Sequence, residues 1–210
     1  MKVNLDSFRE MMERQVADPE PQSETRRATV AAWIGKKMKE SGYRDLNPKF
    51  HHEFLDYLVR FCDKKPMRGL MLVGGVGTGK TMAAAFMAAL YDIEFFTANE
   101  LVAAYPKHRD DFHGWLKSKR SCGNDPYMLA IDDLGAEPTV VDYGMRFELL
   151  GQVLAARYDD WRYSGHKTIL TTNLEAKEIV ARYGARLESR MHEMFEIIPV
   201  LGQDLRKIKS

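Results

Sequence analysis

The sequence predicts an α/β protein in three layers, a five-stranded parallel sheet covered by helices on both faces. Three observations carry this expectation. Short apolar or β-branched runs alternate with helical stretches, the order that produces parallel βαβ units. The first run, Leu70-Met71-Leu72-Val73, leads into Gly74-Gly75-Val76-Gly77-Thr78-Gly79-Lys80-Thr81 and then into an alanine-rich stretch over 82–90. That strand, turn and helix match G-x-x-x-x-G-K-[ST] in the context the motif needs. The third run, Tyr127-Met128-Leu129-Ala130-Ile131, ends in Asp132-Asp133, placing two carboxylates at the strand end where such sheets bind ligands.

Residues 1–48 read as a helical N-terminal extension and 49–210 as the main domain. Leu5, Phe8, Met12 and Val16 recur at helical spacing until Asp18-Pro19-Glu20-Pro21 interrupts them. Ser23 or Thr25 can cap a second helix with Val30, Trp33, Ile34 and Met38 on one face, ended by Gly42. Its other side carries Arg26, Arg27, Lys36, Lys37 and Lys39, which is either a solvated face or a docking surface for a partner or nucleic acid. Asn47-Pro48 opens a helix over 50–63 with Phe54, Leu55, Leu58, Val59 and Cys62 inward. The expected strands are 69–73, 94–97, 127–131, 168–172 and 195–200. The expected helices between them are 80–90, 99–105 with a continuation over 110–119, 143–162 and 175–183.

Composition sets bounds on function. With 210 residues the chain suits one α/β domain with an appendage, or two small domains. A formal net charge of +1 excludes a strong global attraction to nucleic acid, so any such contact needs a local patch. Cys62 and Cys122 have neither C-x-x-C nor metal-ligand spacing, which points to a reducing cytoplasm. The N-terminus lacks the apolar core of a signal peptide, and no run approaches the length of a membrane span. The 12 methionines read as core filler.

The glycine-rich stretch is expected to bind ATP. Glycines at 74, 75, 77 and 79 remove the Cβ atoms that would keep backbone N–H groups from turning inward as an anion nest. The following helix directs its positive end at the same phosphates. Lys80 can reach the β- and γ-phosphates, and the Thr81 hydroxyl can ligate Mg²⁺. The strand ending in Asp132-Asp133 is expected to lie beside the first, with Asp132 completing the Mg²⁺ shell and Asp133 orienting or deprotonating the attacking water. Asp133 is one methylene shorter than glutamate, which predicts slow turnover. The strand Thr168-Ile169-Leu170-Thr171-Thr172 delivers Asn173 toward the γ-phosphate. Arg186 and Arg190 fall four apart, on one face if helical, and are candidates for an arginine finger.

These residues resemble an AAA+ ATPase of the bacterial helicase-loader type (DnaC and DnaI), related to the IstB transposition helpers. The resemblance rests on 68–81, Ile131-Asp132-Asp133-Leu134-Gly135, Arg157-Tyr158 and Lys167-Thr168-Ile169-Leu170-Thr171-Thr172-Asn173-Leu174. Arg182-Tyr183-Gly184-Ala185-Arg186-Leu187-Glu188-Ser189-Arg190-Met191 and Gly202-Gln203-Asp204-Leu205-Arg206 complete it. It implies a cytoplasmic, ATP-hydrolysing adaptor without a C-terminal lid domain. Such an adaptor self-assembles in the ATP state or joins a hexameric replicative helicase, and touches single-stranded DNA. It also implies that Arg190 acts in trans, with Arg186 next in line. Asp-Asp in place of Asp-Glu is similar to the transposition-helper branch, whose partner is a transposase.

The segment 105–120 mixes aromatic and basic residues, with Lys107, Arg109, Trp115, Lys117, Lys119 and Arg120 as candidate DNA contacts. Its aromatics could equally face the core. Two other classes use the same phosphate loop: a small-molecule kinase, against which stands the lack of an arginine-rich closing segment, and a non-catalytic ATP-gated switch.

Overall fold

A computed structural model describes residues 28, 31–33, 35–36, 39–40, 48–62, 68–118, 128–202 and 204. The helices expected over 1–48 lie almost entirely outside these residues, as do Lys119 and Arg120. Helix α1 (Pro48–Cys62) precedes β1 (Gly69–Val73), α2 (Lys80–Tyr91), β2 (Glu94–Thr97) and α3 (Ala98–His108). A 3₁₀ turn (Arg109–Asp111) joins α3 to α4 (Phe112–Ser118), and β3 (Leu129–Leu134) follows. A hairpin of β4 (Val140–Asp142) and β5 (Met145–Phe147) leads to α5 (Leu149–Ser164) and β6 (Thr168–Thr172). Last come α6 (Ala176–Tyr183), α7 (Ala185–Met194) and β7 (Phe195–Pro199).

The five expected strands form one sheet in the order β2-β3-β6-β1-β7, every pair parallel. Side chains alternate between its faces. Leu70, Leu72, Ala130 and Ile169 join the cluster under α1 and α2. Met71, Leu129, Ile131 and Leu170 join the cluster under α3 to α7. Burial on both sides explains why these strands read as unbroken apolar runs. The Arg157 side chain, 0% exposed, pins α5 to β6: its Nε donates to Thr168 Oγ1 at 2.9 Å and an Nη donates to the Lys167 carbonyl at 2.6 Å.

Two expectations are corrected. Strand β3 does not lie beside β1, because β6 is inserted between them. The helix expected over 143–162 begins only at Leu149, and residues 140–147 form the β4–β5 hairpin instead. Its two-residue turn, Tyr143-Gly144, has φ of +47° and +79°. Positive φ at both positions is what a tight hairpin turn demands, and tyrosine in place of the usual asparagine hid that signal.

Candidate functional site

The loop after β1 is shaped by backbone. Gly77 and Gly79 adopt φ of +77° and +94°, conformations that cost a residue with a Cβ about 1–2 kcal/mol. A Cβ at Gly74 would collide with the Val200 carbonyl, and one at Gly77 with the Asp204 carboxylate. The Thr78 hydroxyl closes the turn by donating to the Gly75 carbonyl at 3.0 Å. Gly79 is the N-cap of α2 and supplies no side-chain cap, so the first-turn N–H groups remain available to an anion. Lys80, 4% exposed, folds back over the loop and donates to the Gly74 and Gly75 carbonyls at 2.9 and 2.7 Å.

The loop after β3 is shaped by side chains. Between Ile131↔Leu170 and Leu134↔Thr172 the register shifts, so two residues of β3 oppose Thr171 alone. In such a bulge the strand bends and a side chain is re-aimed. Asp133 takes φ of +57° there. Thr171 serves both acids: its Oγ1 accepts from the Asp133 N–H at 2.9 Å and donates to Asp132 Oδ1 at 2.5 Å. Asp132 is 2% exposed. Burial pushes its carboxyl above the usual range and the Asp133 charge adds to this, while hydrogen bonds from Thr171 and Thr81 and the Lys80 charge act the other way.

Thr81 and Lys80, at the start of α2, act on the Asp132 carboxylate from the glycine loop. The hydroxyl and carboxylate oxygens expected to bind Mg²⁺ thus belong to facing loops, and both are hard ligands of the type that ion prefers. The residues fit a magnesium–triphosphate group. Asn173 is exposed at the carboxyl end of β6, the strand between the phosphate-loop strand and the acid-bearing strand.

Arg182 fixes the loop beyond Asp133. It donates to the Gly135 and Glu137 carbonyls at 2.5 Å each and pairs with Glu148 at 2.9 Å and with Glu137 at 3.2 Å. The buried Glu137 carboxylate also accepts from the Gly135 N–H at 2.8 Å and from the Tyr183 hydroxyl. Sequence reasoning gave no role to Thr171, Glu137 or Arg182. The threonine strand end was its one usable signal, since a hydroxyl there can bond a neighbouring strand's loop.

The arginines of α7 differ in setting. Arg186 is exposed, whereas Arg190 is half-buried with its guanidinium 4.7 Å from the Tyr158 ring centroid. Among the candidate DNA contacts, Lys107 is exposed and Arg109 pairs with Asp142 at 3.4 Å. Lys117 pairs with Asp160 at 2.8 Å. Trp115 is half-buried, stacked on His108 at 4.4 Å and packed beside Phe96 and Phe112. Tyr105 and Phe112 also pack into the core cluster.

No family model and no curated protein matches the sequence. Solved structures do match. The crystal structure of the DnaC helicase loader is similar over 72% of this chain and 90% of that one, with 24% identity and a TM-score of 0.55. The crystal structure of DnaI is similar over 77% and 87%, with 22% identity and a TM-score of 0.56. AMPPCP-bound DnaA from Aquifex aeolicus aligns over 74% of this chain but 51% of its own length, with 16% identity and a TM-score of 0.51. In fold, therefore, the chain is similar to the DnaC helicase loader and to DnaI.

Proposed function

We propose that this chain is an ATP-hydrolysing AAA+ adaptor in DNA replication, resembling a replicative helicase loader that contacts single-stranded DNA. The observation that carries the reading is the buried Asp132 carboxylate, hydrogen-bonded by Thr171 of the intervening strand and influenced by Thr81 and Lys80 of the glycine loop. In this reading the loops after β1 and β3 form one site.

In this reading the loop amides and the α2 N-terminus hold the triphosphate. Lys80 exchanges its loop carbonyls for phosphate oxygens. Thr81 and Asp132 hold Mg²⁺, which when bound neutralises charge developing on the phosphoryl oxygens. Asp133 orients the attacking water and accepts its proton as the bond from Pγ to the bridging oxygen breaks. Asn173, midway between the two loops, holds the same water against the γ-phosphate. Arg190, leaving its Tyr158 stack, completes a neighbouring copy's site, with Arg186 as the alternative.

The test is ATP turnover by the full chain, alone and with single-stranded DNA or a hexameric replicative helicase. Slow turnover that rises with protein concentration or with either partner supports the reading. Phosphate transfer to a nucleoside monophosphate would identify a kinase. Tight binding with no hydrolysis, unchanged by Asp133→Asn, would identify a switch. Stimulation by a transposase alone would place the chain with the transposition helpers. Mixing Arg190→Ala with Asp132→Asn protein is expected to restore part of the activity if the arginine is shared between copies.

A further inference from the structure

The loop that follows Asp133 is held more tightly than a surface connection requires. Asp133 sits in the β3 bulge at φ +57° and Gly135 at φ +100°. The space that a Cβ on Gly135 would need is filled by the Leu174 side chain. Side chains from other elements then take up the loop's backbone groups. Arg182 donates to the Gly135 and Glu137 carbonyls through separate Nη atoms, and through Nε to Glu148 Oε2 at 2.9 Å. Glu137 Oε2 accepts from the Gly135 N–H, while its Oε1 accepts from the Tyr183 hydroxyl and faces the Arg182 guanidinium at 3.2 Å. Burial, with Glu137 beside it, raises the Tyr183 phenol above its usual range, so it remains a donor.

Stability alone does not account for this arrangement. Glu137 is 3% exposed, and a buried ion pair returns little over well-packed apolar side chains. What a guanidinium supplies is geometry: a rigid planar fork that fixes two carbonyls at once, which lysine cannot reproduce. A residue in a sparsely populated conformation persists only where its surroundings over-determine it. Thr171 holds Asp133 from the strand side, and Arg182 holds the chain just beyond it.

We infer that Arg182, braced by Glu137 and Tyr183, is a positioning residue for the proposed hydrolysis, acting through Asp133 of its own chain. By fixing the loop it sets where that carboxylate meets the attacking water. This rests on the ATPase reading and gives the end of α6 a part in it that is separate from the arginines of α7.

The test is steady-state ATP turnover by the full chain with Mg²⁺, alongside binding of a non-hydrolysable ATP analogue and thermal melting. Arg182→Lys keeps a cation for Glu137 and Glu148 but loses the fork. It is expected to lower kcat about 10–10²-fold, with KM and analogue affinity near those of the parent and a melting transition well above the assay temperature. Tyr183→Phe keeps the ring and loses only the hydroxyl. It is expected to lower kcat by less, and it carries the test if Arg182→Lys does not fold. Because the effect runs through Asp133, adding Arg182→Lys to Asp133→Asn should slow turnover little further. Parental kcat in both single variants overturns the inference, as do losses that multiply in the double variant. Recovery of activity when Arg182→Lys protein is mixed with Asp132→Asn protein also overturns it, by placing the fault in an arginine donated between copies. All three outcomes spare the ATPase reading. A parent chain that binds analogue but does not hydrolyse ATP overturns that reading, and the inference falls with it.

Discussion

The loop after β1 and the loop after β3 lie at the carboxyl end of the sheet on either side of β6, yet their shapes have different origins. Positive-φ glycines and backbone contacts set the first. The second depends on Thr171, Glu137, Arg182 and Tyr183, which reach in from other elements. A backbone-built loop is specified by its own residue types. A side-chain-built loop is specified by residues far away in sequence, so distant substitutions disturb it.

The sharpest break falls on the first loop. Lys80→Ala is expected to reduce ATP turnover by about 10²-fold or more, in line with loss of a charge-stabilising donor. Steady-state phosphate release measures this, and retained turnover would sink the site assignment. In the second loop, Arg182→Ala leaves the buried Glu137 carboxylate without its cation and is expected to cost about 3 kcal/mol of stability. Adding Glu137→Gln should recover part of the loss in chemical denaturation; a strictly additive double variant would refute the coupling.

Thr171→Val removes the hydroxyl shared by both acids. We expect about 1–3 kcal/mol of destabilisation and slower turnover with analogue affinity near that of the parent, whereas Thr171→Ser keeps both properties. An analogue affinity that falls as far as turnover would mean that Thr171 supports the first loop too.

A smaller effect runs the other way. Because the folded state holds a proton on Asp132 more tightly than the unfolded chain does, ionising it costs stability as pH rises. The window opens near the ordinary aspartate value of about 3.9 and closes at the raised folded one. Without Mg²⁺, Asp132→Asn should therefore melt higher than the parent above that window. Equal or lower Tm would contradict the burial argument.

Much of the sheet was legible because strands buried on both faces are written as apolar runs. The phosphate loop was legible because its glycines are the geometry. Strand order was not: nothing in the Thr168–Thr172 segment marks it as lying between β1 and β3. Nor was the bulge, since adjacent aspartates on a regular strand would point to opposite faces. Tyr143 concealed the hairpin by occupying a turn position that asparagine would have announced.

The crossing of Val200 over Gly74 couples two distant parts of the chain. The Val200 amide donates to the Val73 carbonyl at 2.7 Å, while its own carbonyl occupies the space a Cβ on Gly74 would need. The start of the glycine turn and the exit from the final strand therefore fix each other's position. A substitution that enlarges residue 74 would therefore push on Val200 and the chain leading into Leu201 and Gly202.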